Sequence, residues 1–223
     1  MSFELALRLT EIGVALALIQ RGAEHLVKGE WRLFAPQVAL SLLLLGSLAP
    51  GIATIGLWAL GLAQLHRFRG PYNGGSDKMA LLILSCLVVA HSAPGWAELA
   101  LAYLAVQLVL SYFVSGWVKL RNHEWRNGQA LSDVFAFSAY PVSERLRGLS
   151  GNTRLMRAAA WGVIGFEVAF PLSLLHPGLL VLALMVAAAF HLANACLFGL
   201  NRFLWIWLAA YPSLIWFETR LPV

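Results

Sequence analysis

Lys119 has the clearest capacity for chemistry in this chain, because it ends an otherwise apolar segment, 97–120, that is long enough to cross a membrane. Trp125 and Gly128 follow within a few residues. Charged side chains inside membrane segments are costly, and they mark functional sites or their partners. A lysine amine can serve there as a base or as the partner of an anion.

Polar residues precede Lys119 at helical spacing. Residues at every fourth position share one helix face, and the face in question carries Gln107, Ser111, Ser115 and Lys119. Tyr112 and Gly116 lie on its adjoining edge. Two interpretations fit this pattern: a cavity wall on which Lys119 acts, or a helix-end lysine that snorkels to the membrane interface.

Two further predicted helices carry polar groups. His191 and Asn194 are three residues apart and share a face of segment 178–199. Histidine can move protons near neutral pH and asparagine can orient it, although a hydrogen-bonded packing pair is the alternative. Glu167 lies within apolar GVIGFEVAFP, where a bridge to a basic residue and a proton-handling role both fit.

Charges near the N-terminus have simpler interpretations. In the first predicted helix, a spacing of three residues allows the pairs Arg8–Glu11 and Arg21–Glu24. Asp77 follows the turn-forming run Asn73-Gly74-Gly75 and precedes a helix. It is therefore expected to cap that helix or to face a site.

The composition predicts an all-α, polytopic transmembrane helical bundle that forms a single domain over residues 1–223. Of the 223 residues, 60% are hydrophobic and only 12% are charged, which is far more apolar than a soluble domain. The apolar runs are continuous, which disfavours a β-barrel. We predict about seven or eight helical segments, at 5–27, 34–49, 51–66, 78–93, 97–120, 156–175, 178–199 and 202–219.

Two regions of this map need comment. Residues 33–66 are too many for one crossing of about 20 residues, so Pro50-Gly51 is expected to separate two short helices, with one kinked helix as the alternative. The connector at 121–155 mixes aromatic and basic residues. This mixture predicts an interfacial segment, either a lid over a site or an ordinary amphipathic connection.

The net charge of +5 reflects topology, since the basic residues flank apolar runs, and no nucleic-acid partner is expected. On the eight-segment map one side of the membrane receives every Lys and Arg except Arg8, Arg21 and Arg220. The positive-inside rule makes that side, including the Lys119 end, cytoplasmic. The two cysteines show no metal-ligand spacing, and no metal is predicted.

Taken together, these segments resemble the transmembrane domain of vitamin K-dependent γ-glutamyl carboxylase, which is widespread in bacteria as the HTTM (horizontally transferred transmembrane) family. The resemblance covers about 65–200 and rests on Tyr112-Phe113, Gly116, Lys119-Leu120, Trp125, Gly128, Phe166-Glu167, Pro171, Phe190-His191, Asn194, Phe198-Gly199-Leu200, Phe203 and Leu208. It implies a bacterial inner-membrane protein.

The resemblance also implies a buried site for a reduced quinone of the menaquinol or vitamin K hydroquinone type. In the carboxylase, the reduced quinone and O2 give an epoxide and a strong base. That base removes a proton from a peptide glutamate, which then takes up CO2. The base that deprotonates the quinol corresponds to Lys119, and His191 is the second catalytic candidate. Tyr112, Gly116, Trp125, Asn194, Asp77 and Glu167 are the candidate binding residues.

The chain also departs from the carboxylase. Its counterpart turn, Tyr72 to Asp77, lacks the histidine found there, and Asp77 is the candidate substitute. Residues 1–223 are not expected to include a counterpart of the carboxylase's large peptide-capturing domain, and a membrane or soluble partner is expected to supply it. Finally, the carboxylase acts on lumenal substrates, whereas Lys119 is predicted to face the cytoplasm.

Three functions are therefore weighed. The first is a lyase or oxidoreductase of the carboxylase and quinol-epoxidase type, acting on a peptide or a small molecule in the lipid bilayer. The second is a non-catalytic membrane partner in peptide maturation, immunity or assembly. The third, a transporter, is weakened because no inverted repeat is visible.

Overall fold

The computed structural model describes residues 1–67 and 75–221, and all regular secondary structure in those ranges is helical. The eleven α-helices described are α1 (Phe3–Val27), α2 (Trp31–Leu45), α3 (Pro50–Arg67), α4 (Gly75–Ser92), α5 (Ala97–Arg121), α6 (His123–Arg126), α7 (Gln129–Phe137), α8 (Pro141–Arg145), α9 (Thr153–Ala169), α10 (Pro177–Phe198) and α11 (Asn201–Glu218). Short 3-10 helices occupy Pro94–Trp96, Arg147–Gly151 and Phe170–Leu175. The predicted all-α fold class is confirmed.

Residues 33–66 form two helices, as expected, but the break lies earlier than Pro50-Gly51. α2 ends at Leu45, and Ser47 and Ala49 take left-handed conformations with φ of 56° and 49°. Pro50 begins α3, where proline is tolerated because the first helical N–H groups have no partner within the helix. The predicted extension of the first of these helices to 49 was therefore wrong.

Four helical stretches in the described part of the chain are long and apolar enough to cross a membrane: Gly75–Ser92, Pro94–Arg121, Thr153–Leu175 and Pro177–Phe198. α2 is a shorter apolar helix. On α10, large apolar side chains such as Leu182 and Met185 are more than half exposed. Such a surface is stable in a bilayer rather than in water, so the protein is an integral membrane protein.

The chain forms two compact units. The N-terminal unit contains the described residues of 1–106 together with 202–221, and the central unit contains 107–201. The boundary falls within α5. The prediction of a single domain over 1–223 stays a prediction, and each unit is described by itself.

Polar side chains occupy the interior of the N-terminal unit. Gln37 donates from Nε2 to the carbonyl of Leu18 at 2.7 Å, and Gln64 donates to Gln37 Oε1 at 2.7 Å. Both glutamines are 2% exposed. These bonds connect α1, α2 and α3 in a setting where an unpaired amide would be costly.

The predicted pair Arg8–Glu11 is confirmed at 2.8 Å, and His91 Nε2 lies 2.7 Å from the other oxygen of Glu11. Arg8 also donates to the carbonyls of Leu44 and Leu45, which end α2. These contacts supply partners for terminal carbonyls that have none within the helix.

The predicted pair Arg21–Glu24 does not form. Arg21 pairs with Asp77 at 3.1 Å, and Glu24 pairs with Arg202 at 3.1 Å. The local spacing gave the wrong partners because α4 and α11 bring opposite charges to the same end of α1.

In the central unit, the connector is mostly short helices, α6 to α8, that pack on α9 and α10. Gly128, at φ +87°, makes the turn between α6 and α7. A Cβ there would lie 2.6 Å from the backbone nitrogen of Arg157. Gly199 ends α10 at φ +71°, and a Cβ there would lie 2.8 Å from the Tyr140 ring. Both glycines are needed for positive φ and for close packing.

Candidate functional site

The site forms where α5 and α9 approach each other at Gly116. A Cβ on Gly116 would lie 2.7 Å from both the Glu167 Cβ and the Val168 backbone nitrogen. Real Cβ atoms do not approach that closely, so only glycine permits this distance between the helices. The close approach brings the residues one turn further along α5 next to Glu167.

Lys119 and Glu167 form an ion pair at this crossing. The Lys119 Nζ lies 2.6 Å from Oε2 and 2.8 Å from Oε1 of Glu167. The lysine side chain is 16% exposed and the glutamate side chain 4%. Charge-assisted hydrogen bonds of this length in a poorly solvated setting are strong, and each charge needs the other.

Ser115 completes this contact. Lys119 Nζ donates to Ser115 Oγ at 2.5 Å, and Ser115 Oγ donates to Glu167 Oε1 at 3.2 Å. Serine and lysine meet because they are four residues apart on one face of α5. The three side chains form a closed hydrogen-bonded group.

Trp125 covers the lysine from the connector. Lys119 Nζ lies 5.1 Å from the centre of the Trp125 ring, within the range of a cation–π contact. α6, which carries Trp125, begins at His123, and the side chain of its N-cap residue Asn122 accepts from the Glu124 backbone N–H at 2.8 Å. The cap therefore fixes the start of the helix that places the indole ring.

A second polar contact lies two turns before Lys119 on α5. Tyr112 OH and His191 Nε2 are 2.9 Å apart, and the two residues are 3% and 5% exposed. The Tyr112 ring stacks on Phe170 at 4.1 Å and meets Phe166 edge-on at 5.7 Å. Phe190 is a further neighbour, 5.3 Å from His191. The result is a hydrogen-bonded phenol–imidazole pair inside an aromatic cluster.

The two polar contacts lie on one face of α5. Tyr112 and Lys119 are seven residues apart, which is close to two turns and about 10.5 Å along the axis. One end of this stretch carries an ammonium–carboxylate pair and the other a phenol–imidazole pair. Aromatic rings line the tyrosine end. The arrangement holds groups with exchangeable protons at two points along α5.

The structure brings together most of the predicted site residues of the central unit. Lys119, Glu167, Gly116 and Trp125 form one contact group, and Tyr112 and His191 form the other. The polar face predicted on α5 contributes Ser115 to the first group, while Ser111 Oγ bonds the Leu108 carbonyl of its own helix.

Asn194 and Asp77 have other contacts. Asn194 Nδ2 donates to the Phe190 carbonyl at 3.0 Å, one turn back on α10. Asp77 lies in the first turn of α4, in the N-terminal unit, and pairs with Arg21. The residues before Gly75 in the predicted turn, including Asn73, lie outside the described residues.

The aromatic partners of Tyr112 were not predicted from the sequence. Phe166 was a family position, but nothing in the spacing linked it or Phe170 to Tyr112. A usable signal was present: Phe166 and Phe170 are four residues apart and flank Glu167 on α9 and the 3-10 turn that follows. The sequence predicted a basic partner for Glu167 without indicating that it is Lys119.

Fold and site define an all-helical membrane protein with a buried ion pair between two apolar helices. The model of the HTTM domain family matches residues 86–219, which is more than half of the chain, so this protein belongs to that family. The domain is a vitamin K-related, carboxylase-like membrane domain. No curated protein and no solved structure matches the chain.

Proposed function

We propose that this protein is an integral membrane enzyme of the vitamin K-dependent carboxylase type, in which Lys119 acts as a base toward a bound reduced quinone. The observation that carries the proposal is the Lys119–Ser115–Glu167 group, which holds an amine and a carboxylate 2.6 Å apart in a poorly solvated place. Such groups mark sites of proton transfer in membrane proteins.

Aromatic and hydrogen-bonding side chains near Lys119 support a reduced quinone as the ligand. Tyr112, Phe166 and Phe170 form an aromatic cluster against which a flat ring can pack. The Lys119–Glu167 and Tyr112–His191 contacts supply hydrogen-bonding groups at two points along α5. When bound, a reduced quinone would supply electrons to O2, and this oxygenation would generate a strong base.

The ion pair gives Lys119 a route to a neutral amine. A proton that moves from Nζ to the Glu167 oxygen 2.6 Å away leaves an uncharged amine beside an uncharged carboxylic acid. In that state Nζ can accept a proton from an acidic hydroxyl. Ser115 holds Nζ at the carboxylate, and the Trp125 ring shields it from water.

The proposed substrate is a peptide or small molecule with an abstractable proton, and CO2 is the proposed second substrate. We further propose that the protein lies in a bacterial inner membrane with the Lys119 end toward the cytoplasm. The basic residues of the connector, such as Arg126 and Arg145, support this orientation.

The proposal is tested by purifying the full chain gently and extracting bound quinone, followed by oxygen-dependent conversion of added menaquinol. We expect stoichiometric quinone and formation of an epoxide. Lys119→Ala should abolish conversion, and Glu167→Gln should reduce it at least tenfold. Lys78→Ala is the matched control, because Lys78 is exposed on α4 and belongs to neither contact group. Conversion by Lys119→Ala at the wild-type rate would refute the proposal.

One observation favours the second candidate, a non-catalytic membrane partner. The Lys119 ammonium already donates to three oxygen atoms of this chain. A purely structural ion pair would have the same contacts. On that interpretation the purified protein carries no quinone and turns over no menaquinol. It should instead co-purify with a defined protein or peptide, whether or not Lys119 is replaced.

A further inference from the structure

The N-terminal unit contains a cleft of about 420 Å³ that is lined by residues 29–34 and Arg67. It lies where the turn between α1 and α2 meets the last residue of α3. None of its lining residues belongs to the Lys119 or His191 contact groups. A cleft of this volume is large enough for a small ligand or a lipid headgroup.

The charge of the cleft favours an anion. Arg32 and Arg67 are both exposed and have no ion-pair or hydrogen-bond partner within the described residues. The one carboxylate of the lining, Glu30, is hydrogen-bonded to His25 Nδ1. Glu30 keeps its negative charge, but the two guanidinium groups at the cleft outnumber it, so the net charge of the lining is positive. Guanidinium groups recognise phosphate through paired N–H donors.

The backbone adds to this preference. α2 begins at Trp31, and Glu30, its N-cap residue, makes no side-chain hydrogen bond to the helix. The first-turn N–H groups therefore lack the partner that a cap supplies. They point along the helix axis toward the cleft end, where an anion is also stabilised by the helix dipole.

The surroundings of the cleft are those of a membrane interface. Trp31 is 62% exposed and Val27, just before the turn, is 91% exposed. Tryptophan is enriched at the headgroup level, and an exposed valine is stable beside acyl chains. Leu33 and Phe34 extend the apolar part of the lining. The cleft thus presents the guanidinium groups of Arg32 and Arg67 next to an apolar surface.

We propose that this cleft binds the phosphate-bearing headgroup of an anionic phospholipid, with Arg32 and Arg67 on the phosphate and Trp31 against the lipid body. Basic pockets at the ends of membrane helices bind headgroups in this manner. The apolar surface favours a lipid over a free phosphate ion. The proposal does not depend on any activity at Lys119.

The test is native mass spectrometry of the delipidated full chain, titrated with phosphatidylglycerol or with phosphatidylcholine. We expect tighter binding of phosphatidylglycerol. Arg32→Gln and Arg67→Gln should each weaken it about fivefold, and the double variant more, since a basic residue near an anionic headgroup contributes on the order of a fivefold preference. Arg32→Lys and Arg67→Lys should weaken it less than the glutamine variants, since they keep the charge but lose the paired N–H donors.

Lys78→Gln is the matched control, because it removes one exposed basic residue of the same unit that lies outside the cleft and has no ion-pair partner among the described residues. Equal weakening by Lys78→Gln and Arg67→Gln would overturn the proposal, since only net charge would then matter. Unchanged binding in the double arginine variant would overturn it as well. A third arm uses inorganic phosphate: if it competes fully with phosphatidylglycerol at equal concentration, the cleft is a free-anion site and the lipid assignment is wrong.

Discussion

At the scale of single residues, each charge of the Lys119–Glu167 pair is stabilised by the other, because little solvent reaches either side chain. Glu167 is almost fully buried, so Lys119→Met leaves a carboxylate with no cation, and Glu167→Leu leaves an ammonium with no anion. Removing one partner of a buried pair costs about 3 kcal/mol, whereas removing both costs far less. We therefore expect the double variant to unfold at a higher temperature than either single variant.

Thermal unfolding in detergent measures this coupling without reference to activity. The three variants and the wild type form a double-mutant cycle that isolates the interaction of the pair. Additive losses would show that the two charges do not interact in the folded protein. Because stability and turnover are read separately, the cycle also separates a structural role of Lys119 from a catalytic one.

The Tyr112–His191 contact offers a milder test. Tyr112→Phe removes only the hydroxyl at 2.9 Å from Nε2 and keeps the ring that stacks on Phe170. We expect a loss of about 1 kcal/mol in the free energy of unfolding. Tyr103→Phe is the control on the same helix, since Tyr103 is 53% exposed and should tolerate the change. Equal effects in the two variants would contradict a specific bond between Tyr112 and His191.

At the scale of elements, the approach of α5 and α9 depends on one missing side chain. Gly116→Ala puts a methyl group 2.7 Å from the Val168 backbone nitrogen, which flexible side-chain movement cannot relieve. We expect a loss of about 2 kcal/mol from forced separation of the helices. The pair at Lys119 should loosen with it, so quinone binding, if present, should weaken too.

Gly165→Ala provides the matched control for this prediction. Gly165 lies on α9, and a Cβ there meets nothing within 4 Å. The substitution should be neutral or stabilising by up to about 1 kcal/mol, because alanine favours the helix. Thermal unfolding of the two variants side by side would contradict the close-packing account if Gly116→Ala were equally harmless.

The break between α2 and α3 carries backbone strain at non-glycine residues. Ala49 has φ of 49°, which glycine adopts without penalty and alanine does not. We expect Ala49→Gly to raise the free energy of unfolding by about 1 kcal/mol. Ala63→Gly, at an exposed position within α3, should lower it by a similar amount. Denaturant or thermal unfolding checks both, and a loss in Ala49→Gly would contradict the strain.

At the scale of the whole molecule, the sequence predicts the features that depend on composition and on the spacing of residues along a helix. Apolar runs place the long helices to within a few residues, and four-residue spacing places Ser115 beside Lys119. The sequence does not predict the contacts between helices, because these contacts depend on which helix faces meet in the fold. The partners of Glu167, Tyr112 and Arg21 all come from other helices, and the last was predicted wrongly from local spacing.

The fold predicts a membrane topology that can be measured residue by residue. α2 has 15 residues, or about 22 Å of helix, which is less than the thickness of the hydrocarbon core of about 30 Å. Short spans are accommodated by local thinning of the bilayer, so α2 and α3 can still cross separately. In that case the turn at Lys28 and the connector at Arg145 lie on the same side.

We expect single cysteines at Lys28 and Arg145, in a Cys86→Ala and Cys196→Ala background, to react with an impermeant maleimide only after cells are permeabilised. Cysteines at Ser47 and Gly95, which lie at the opposite helix ends, should react in intact cells. The four positions Lys28, Ser47, Gly95 and Arg145 are all exposed. The physical reason is that the basic residues cluster at the helix ends that include Lys28 and Arg145, and the positive-inside rule predicts that such ends face the cytoplasm. Reaction at Lys28 and not at Arg145 in intact cells would mean that α2 and α3 together make one crossing, which moves the N-terminus to the cytoplasm. Reaction at both Lys28 and Arg145 would reverse the whole orientation and place the Lys119 end outside.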